Sequence, residues 1–317
     1  MAAGLGRRMA PFTDELPKPL LPAGGPTFLD RGIRFMKACG IATVVINTHH
    51  LAPLIADHVV ANRAFDMEVI LSHEPQILGT GGGARRAAEL AGGGGPLVIL
   101  AADMVSNLDP LRLLGAHRAA GRGLTMVCST CGDVGHYGAV RVAPDGRVVD
   151  IAGLVAGGGA EAGRPTVNAS THIIEEELLS RLPGQGECLV RDFYIPLMRA
   201  GITVNAHLHD GFWGEGGSPQ RLFELNMNLL DLEQPAPMLH NDTVRWIGPA
   251  AMHPDTRPGR EVTVGPHAVI GAGCVLGDGC TVQRSILLPG AVVDPGEVVT
   301  DTIRSKNHEW TPDRPTP

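Results

Sequence analysis

The first two-thirds of the chain alternates between two spacings of apolar residues. Residues 27–39 (TFLDRGIRFMKAC) place apolar side chains at helical spacing and stop at Gly40. Residues 43–46 (TVVI) form a short apolar run, 51–62 return to helical spacing, and 67–71 read as a strand. Residues 82–90 predict a helix after a glycine turn. Residues 96–101 (PLVILA) are continuously apolar, the pattern of a strand buried on both faces. Alternation of this kind predicts an α/β fold, a Rossmann-like, mostly parallel sheet covered by helices. Ligands bind such sheets at the carboxyl ends of the strands. Asp103 lies at that place, just after 96–101.

From Gly138 the pattern changes. GAVRVAPDGRVVDI predicts a hairpin turning at Pro144, Asp145 and Gly146. Residues 153–164 are a loop of small residues, 191–199 a helix, 203–206 a strand and 219–232 a closing helix. Residues 233–237 (EQPAP) read as a linker, so one domain spans 1–232 and a second spans 233–317. From Val264 the chain reads in sixes: VGPHAV, IGAGCV, LGDGCT, VQRSIL, LPGAVV. An aliphatic residue recurs at every sixth position, which predicts a short left-handed parallel β-helix of hexapeptide repeats. Coils so few need their ends covered by the first domain or by another subunit, and the second alternative gives a homo-oligomer through the β-helix.

Composition narrows the functional classes. The chain has 317 residues, 44% hydrophobic but only 4% aromatic, so its core is aliphatic. Net charge is −7, the cations are nearly all arginine, and no basic run is present, so nucleic acid is not an expected partner. No run approaches the ~18 apolar residues of a membrane span, and none precedes Gly4 as a secretory signal would. The six cysteines are scattered. Cys128 and Cys131 lack the second pair of a zinc site and read as strand-end residues. His49 and His50 are adjacent, which on a strand points them to opposite faces, so they read as loop or core histidines. A cytoplasmic location is expected.

Chemistry concentrates in residues 2–20 (AAGLGRRMAPFTDELPKPL). Gly4 and Gly6 let the main chain approach a ligand closely, and a glycine turn can present backbone N–H groups to a phosphate. Arg8 adds a planar cationic fork and Lys18 a point charge. The string resembles the signature of sugar-1-phosphate nucleotidylyltransferases (NDP-sugar pyrophosphorylases), and the resemblance extends over most of the chain. In that family the signature follows a buried central strand. Met1 stands where that strand ends, so a short aliphatic strand is expected upstream of Met1.

The resemblance implies transfer of a nucleotidyl group from an NTP to a sugar 1-phosphate, releasing pyrophosphate. It implies that Arg8 and Lys18 act on the triphosphate, and that Ala2, Ala3, Gly4, Gly6 and Arg8 line it. Gly79 and Thr80 resemble the family's LGT-x-G loop, and Glu74 stands where relatives contact the base. Tyr137, Gly138 and Asn168 match the sugar-binding positions. Asp103 and Glu215 match the two metal aspartates, Glu215 with one more methylene, and Mg²⁺ or Mn²⁺ is the implied cofactor. The family's E-K-P lysine has no counterpart, and the segment offers only Arg164. Within the family the first expectation is a mannose-1-phosphate guanylyltransferase, the alternative an N-acetylmuramate (or other hexose) 1-phosphate uridylyltransferase. Two other classes remain open: a non-catalytic regulatory relative, and a hexapeptide acyltransferase with His267 as base.

Overall fold

A computed structural model of the chain describes residues 1–121, 123–155, 163–235 and 244–312. The chain folds as two compact units: Met1–Leu5 with Arg31–Gly214, and Gly6–Asp30 with Glu215–Pro317. The expected boundary at 232/233 falls inside the second unit. The expected glycine loop at 153–164 lies mostly outside the described residues, as does part of the linker at 233–237.

The first unit is an α/β fold. Strands β1 (Thr43–Thr48) and β2 (Glu68–His73) pair in parallel. A second sheet holds β3 (Leu97–Leu100), β4 (Leu124–Ser129), β5 (Val140–Val142), β6 (Val148–Ile151), β7 (Arg164–Ile174) and β8 (Val204–His209), in the order β6-β5-β7-β4-β8, with β3 also pairing β7. β4 and β8 are parallel, Leu124 opposite Val204, while β7 runs antiparallel to β3, β4 and β5. The long β7 is thus the one reversed strand amid β3, β4 and β8. β5 and β6 form the hairpin expected at 144–146, with Val140 opposite Ile151. All six residues of β4 are buried, as a strand covered on both faces requires. Its Leu124 and Met126 pack with Ile174, Phe193, Tyr194 and Val204.

Helices cover this unit. Helix α1 (Phe28–Ala38) buries Ile33 and Met36, and Met36 packs on Leu100 and Met104. Helix α2 (Ala52–Ala61) buries Ile55 and Val59. Helix α3 (Gly79–Ala91) starts three residues before the expected 82. Glycine is a poor helix former, but here side chains do not fit. A Cβ on Gly81 would lie 2.4 Å from Pro183 Cγ, and one on Gly82 would lie 2.6 Å from the Gly184 carbonyl. Helix α4 (Pro110–Ala119) is capped by Asp109, whose carboxylate accepts from the N–H groups of Leu111 and Arg112.

The second unit joins the signature segment to helix α5 (Pro219–Glu233) and the β-helix. Ser218 caps α5 and Pro219 occupies its first turn. Buried Asn226 satisfies its whole amide: Oδ1 accepts from Gly24 N–H, and Nδ2 donates to the carbonyls of Pro22 and Leu222. The expected β-helix is present as three stacks of parallel strands. Val244–Trp246, Val262–Val264, Thr281–Gln283 and Val298–Thr300 form one; Ala250–Met252, Ala268–Ile270, Ser285–Leu287 and Ile303–Arg304 a second; Arg257–Pro258, Val275–Leu276 and Val292–Val293 a third. Val262, Val264, Ile270, Leu276, Val282 and Leu287 fill its interior, which is why an aliphatic residue recurs every six positions. Glu309–Trp310 turns back on Ile303–Arg304 and closes the last coil.

Candidate active site

In the first unit, Ala2 and Ala3 are buried, whereas Gly4 is exposed and a Cβ there would meet nothing within 4 Å. The Gly4 main chain is therefore open to a ligand. Met1 bonds along the end of β3: its ammonium donates to the Leu100 carbonyl, and its carbonyl accepts from Ala102 N–H. Asp103 is half-buried just past β3, at the strand end where it was expected.

The second glycine loop is clamped by residues 184–189. Gly186 N–H donates to the Leu78 carbonyl, Gly81 N–H to the Glu187 carbonyl, and Leu189 N–H to Thr80 Oγ1. A Cβ on Gly79 would lie 2.5 Å from the Glu187 carbonyl oxygen, and its φ is +75°. Glycine is thus required at 79 both by space and by backbone angle. Glu74, expected against a base, is 1% exposed. Its Oε1 accepts from Asn47 Nδ2 at 2.8 Å and its Oε2 from Leu78 N–H at 2.8 Å. His49 Nδ1 lies 2.7 Å from the Glu74 carbonyl.

Asp133 caps the short helix Val134–Tyr137, and Gly138 follows at a φ of +80°. The Tyr137 ring meets Trp213 edge to face at 5.0 Å. Trp213 in turn donates from Nε1 to the Ala169 carbonyl, one residue from Asn168. Asn168 sits on β7 with Oδ1 accepting from Ser170 N–H. Trp213 thus joins Tyr137 to the β7 backbone beside Asn168, a role the sequence did not assign it. Its only signal was its place two residues before Glu215. Arg164 is exposed at the start of β7. Cys128 is buried in β4, with burial pushing its thiol up to about 12, while Cys131 is exposed with Sγ directed at the Asp210 carbonyl.

In the second unit, Arg8 is exposed in the turn Arg7–Met9, and Gly6 before it has a φ of +63°. Lys18 opens the turn Lys18–Leu20, and its Nζ lies 3.8 Å from Glu215 Oε2. Arg221 Nη1 donates to Glu215 Oε1 at 2.5 Å. Glu215 is thus held between two cations, its side chain 9% exposed. Arg221 was not expected; its place in the first turn of α5 after a Ser-Pro cap was the available signal. His267 bonds Asp231 at 2.5 Å through Nε2, which ties its ring to α5.

For a divalent metal the donor set is sparse. Among the described residues no group of three or more His, Cys, Asp or Glu could hold an ion. Mg²⁺ takes one or two carboxylates and completes its shell with substrate phosphates and water. Asp103, in the first unit, is a half-buried strand-end carboxylate of the kind such a shell takes, whereas Glu215, in the second, already accepts from Arg221 and lies near Lys18.

The family model for nucleotidyl transferases matches residues 1–231, and that for the GMPPB C-terminal domain matches 246–311. A mannose-1-phosphate guanylyltransferase from Mycobacterium tuberculosis is 26% identical over 75% of this chain and 66% of its own length. The chain therefore spans about two-thirds of that relative. An N-acetylmuramate alpha-1-phosphate uridylyltransferase from Caulobacter vibrioides is 29% identical over 69% of this chain and 91% of its own. Among solved structures, HddC from Yersinia pseudotuberculosis, complexed with GMP-PN, superposes with a TM-score of 0.58 at 21% identity, covering 72% of this chain and 96% of that one. The likeness to HddC supports the fold, and the match over 1–231 places this chain in the nucleotidyl transferase family.

Proposed function

We propose that the protein transfers a nucleotidyl group from an NTP to a sugar 1-phosphate. A phosphate oxygen of the sugar attacks the α-phosphorus, the bond to the β-phosphate oxygen breaks, and pyrophosphate leaves. Such a reaction needs no protein nucleophile; it needs two polyanions positioned and their charge offset. The open Gly4 main chain suits the approach of a triphosphate. Arg8 and Lys18 supply cations, and Glu215 and Arg221 fix the Lys18 side chain. A bound Mg²⁺ would offset charge on the phosphates. Tyr137, Trp213 and Asn168 supply an aromatic face and a hydrogen-bonding amide suited to a sugar ring.

The observation that carries this reading is the family match over residues 1–231, which includes every one of these side chains. Guanylyl transfer to mannose 1-phosphate is the leading form, supported by relatives of that activity in Mycobacterium tuberculosis and Dictyostelium discoideum, which cover 75% and 81% of this chain. Uridylyl transfer to N-acetylmuramate 1-phosphate is the second form, favoured by the Caulobacter relative, nearly all of which is covered. The test is pyrophosphate release over a matrix of NTPs and sugar 1-phosphates with Mg²⁺. Release that needs both substrates, and is greatest with GTP and mannose 1-phosphate, supports the leading form. UTP with N-acetylmuramate 1-phosphate as the best pair supports the second.

A further inference from the structure

We infer that Asn47 and Glu74 are a positioning pair that locks the two glycine loops of the first unit to each other, and that Glu74 does not read the base. The inference rests on the functional reading above for what the loops hold, but its geometry is independent of it. Asn47 is the last residue but one of β1 and Glu74 follows β2, and the two strands are parallel neighbours: β1 and β2 pair up to Thr48 and His73, and Glu74 N–H continues the ladder to the Thr48 carbonyl. Both side chains are buried, at 5% and 1% exposure. Asn47 Oδ1 accepts from Ala2 N–H at 2.6 Å, in the first loop. Its Nδ2 donates to Glu74 Oε1, and Glu74 Oε2 accepts from Leu78 N–H, at the head of the second loop. An unbroken chain of hydrogen bonds therefore runs from Ala2 to Leu78.

The chain has a direction. Turning the Asn47 amide over would set its NH₂ against the Ala2 N–H and its carbonyl against a carboxylate, two contacts of like polarity. Only a carboxylate at 74 accepts on separate oxygens from both Asn47 and Leu78. A glutamine has one acceptor oxygen, so it satisfies one donor and faces the other with an NH₂. A buried donor left without a partner is costly. Gly83 shows how closely the pair is packed. A Cβ there would lie 3.1 Å from Asn47 Nδ2 and 3.2 Å from Glu74 Oε1. A buried carboxylate with both oxygens bonded to protein is a support for the loops, whereas a base reader must present an acceptor to its ligand.

The experiment compares wild type, Glu74→Gln, Asn47→Ala and the double variant as full chains, by steady-state pyrophosphate release with GTP and with UTP. Glu74→Gln is expected to lower kcat/KM about tenfold for both nucleotides, as loss of one buried hydrogen bond implies, leaving their ratio unchanged. Asn47→Ala should do the same, and the double variant should be little worse than the poorer single one, because the two act as one chain. A change in the GTP to UTP ratio of about tenfold or more in Glu74→Gln alone would make it a base reader and overturn the inference, as would wild-type kinetics in that variant. Hydrogen exchange on the ligand-free proteins is the second readout. Glu74→Gln should speed exchange at the amides of Ala2, Ala3 and Gly4, remote in sequence from the change, and unchanged rates there would also overturn it. If wild type released no pyrophosphate with any substrate pair, the functional reading would fail while the exchange result still judged the pair.

Discussion

Glu215 shows how a motif residue can have partners that its motif does not announce. Its position was legible from the segment Trp213 to Pro219, but its partners were not, because Lys18 and Arg221 reach it only through folding. A carboxylate shared by two cations is worth more than an exposed pair, since hydrogen bonds to charged groups contribute about 1.5–3 kcal/mol. Glu215→Gln should therefore lower stability by about that amount in denaturant melts and remove most turnover, while Glu215→Asp should lose less of both. Wild-type stability in Glu215→Gln would show that the cations do not need it. A second residue was invisible in the sequence. His172 is buried on β7 beside Tyr194, and burial lowers its pKa to about 4. In the unfolded chain it protonates near 6.5. Between about 6.5 and 4 the unfolded state binds the extra proton, so stability is full above pH 6.5 and falls as pH drops through that window. The loss at pH 5 is about 2 kcal/mol. His172→Gln should flatten the pH 5 to 7 dependence of the melting midpoint. An unchanged slope would place the acid sensitivity elsewhere.

At the scale of elements, the strands and helices of the first unit were legible because their apolar spacing is strong, and most differ from expectation only at their ends. Helix α3 is the informative departure. Glycine argues against helix on propensity alone, and the expectation was a glycine turn before a helix at 82. The structure makes the turn glycines helical because residues 183–187 pack against the helix too closely for side chains. No local pattern encodes that approach, since Pro183 lies a hundred residues further on. The glycines should differ in tolerance. A Cβ on Gly82 would press on the Gly184 carbonyl, which is backbone, whereas on Gly83 its nearest contact is Met1 Cε at 2.7 Å, the end of a flexible side chain. Gly82→Ala should cost about 1–3 kcal/mol and Gly83→Ala less, read as midpoints of thermal unfolding. Equal midpoints would mean that the 183–187 segment yields as easily as Met1 does.

At the scale of the whole molecule, contacts group the chain differently from its order in sequence. The hexapeptide repeat was plain in the sequence, and so was the signature segment, but their membership of one unit was not. Glu15, between Arg8 and Lys18, bonds Asn307 Nδ2 at 3.1 Å and His308 Nε2 at 3.3 Å, and Phe223 of α5 meets Trp310 at 6.0 Å. These contacts join ends of the chain that no sequence spacing connects. The β-helix therefore supports the segment that carries Arg8 and Lys18. A chain ending after Glu233 should lose nearly all pyrophosphate release even if it stays folded by circular dichroism, and full activity in it would show that the coils serve something else. The central claim is nucleotidyl transfer to a sugar 1-phosphate, and pyrophosphate release tests it most directly. With Mg²⁺, wild type should release pyrophosphate only when an NTP and a sugar 1-phosphate are both present, and Asp103→Ala should abolish it. Release that does not depend on the sugar phosphate, or full turnover in Asp103→Ala at saturating substrate, would contradict the account.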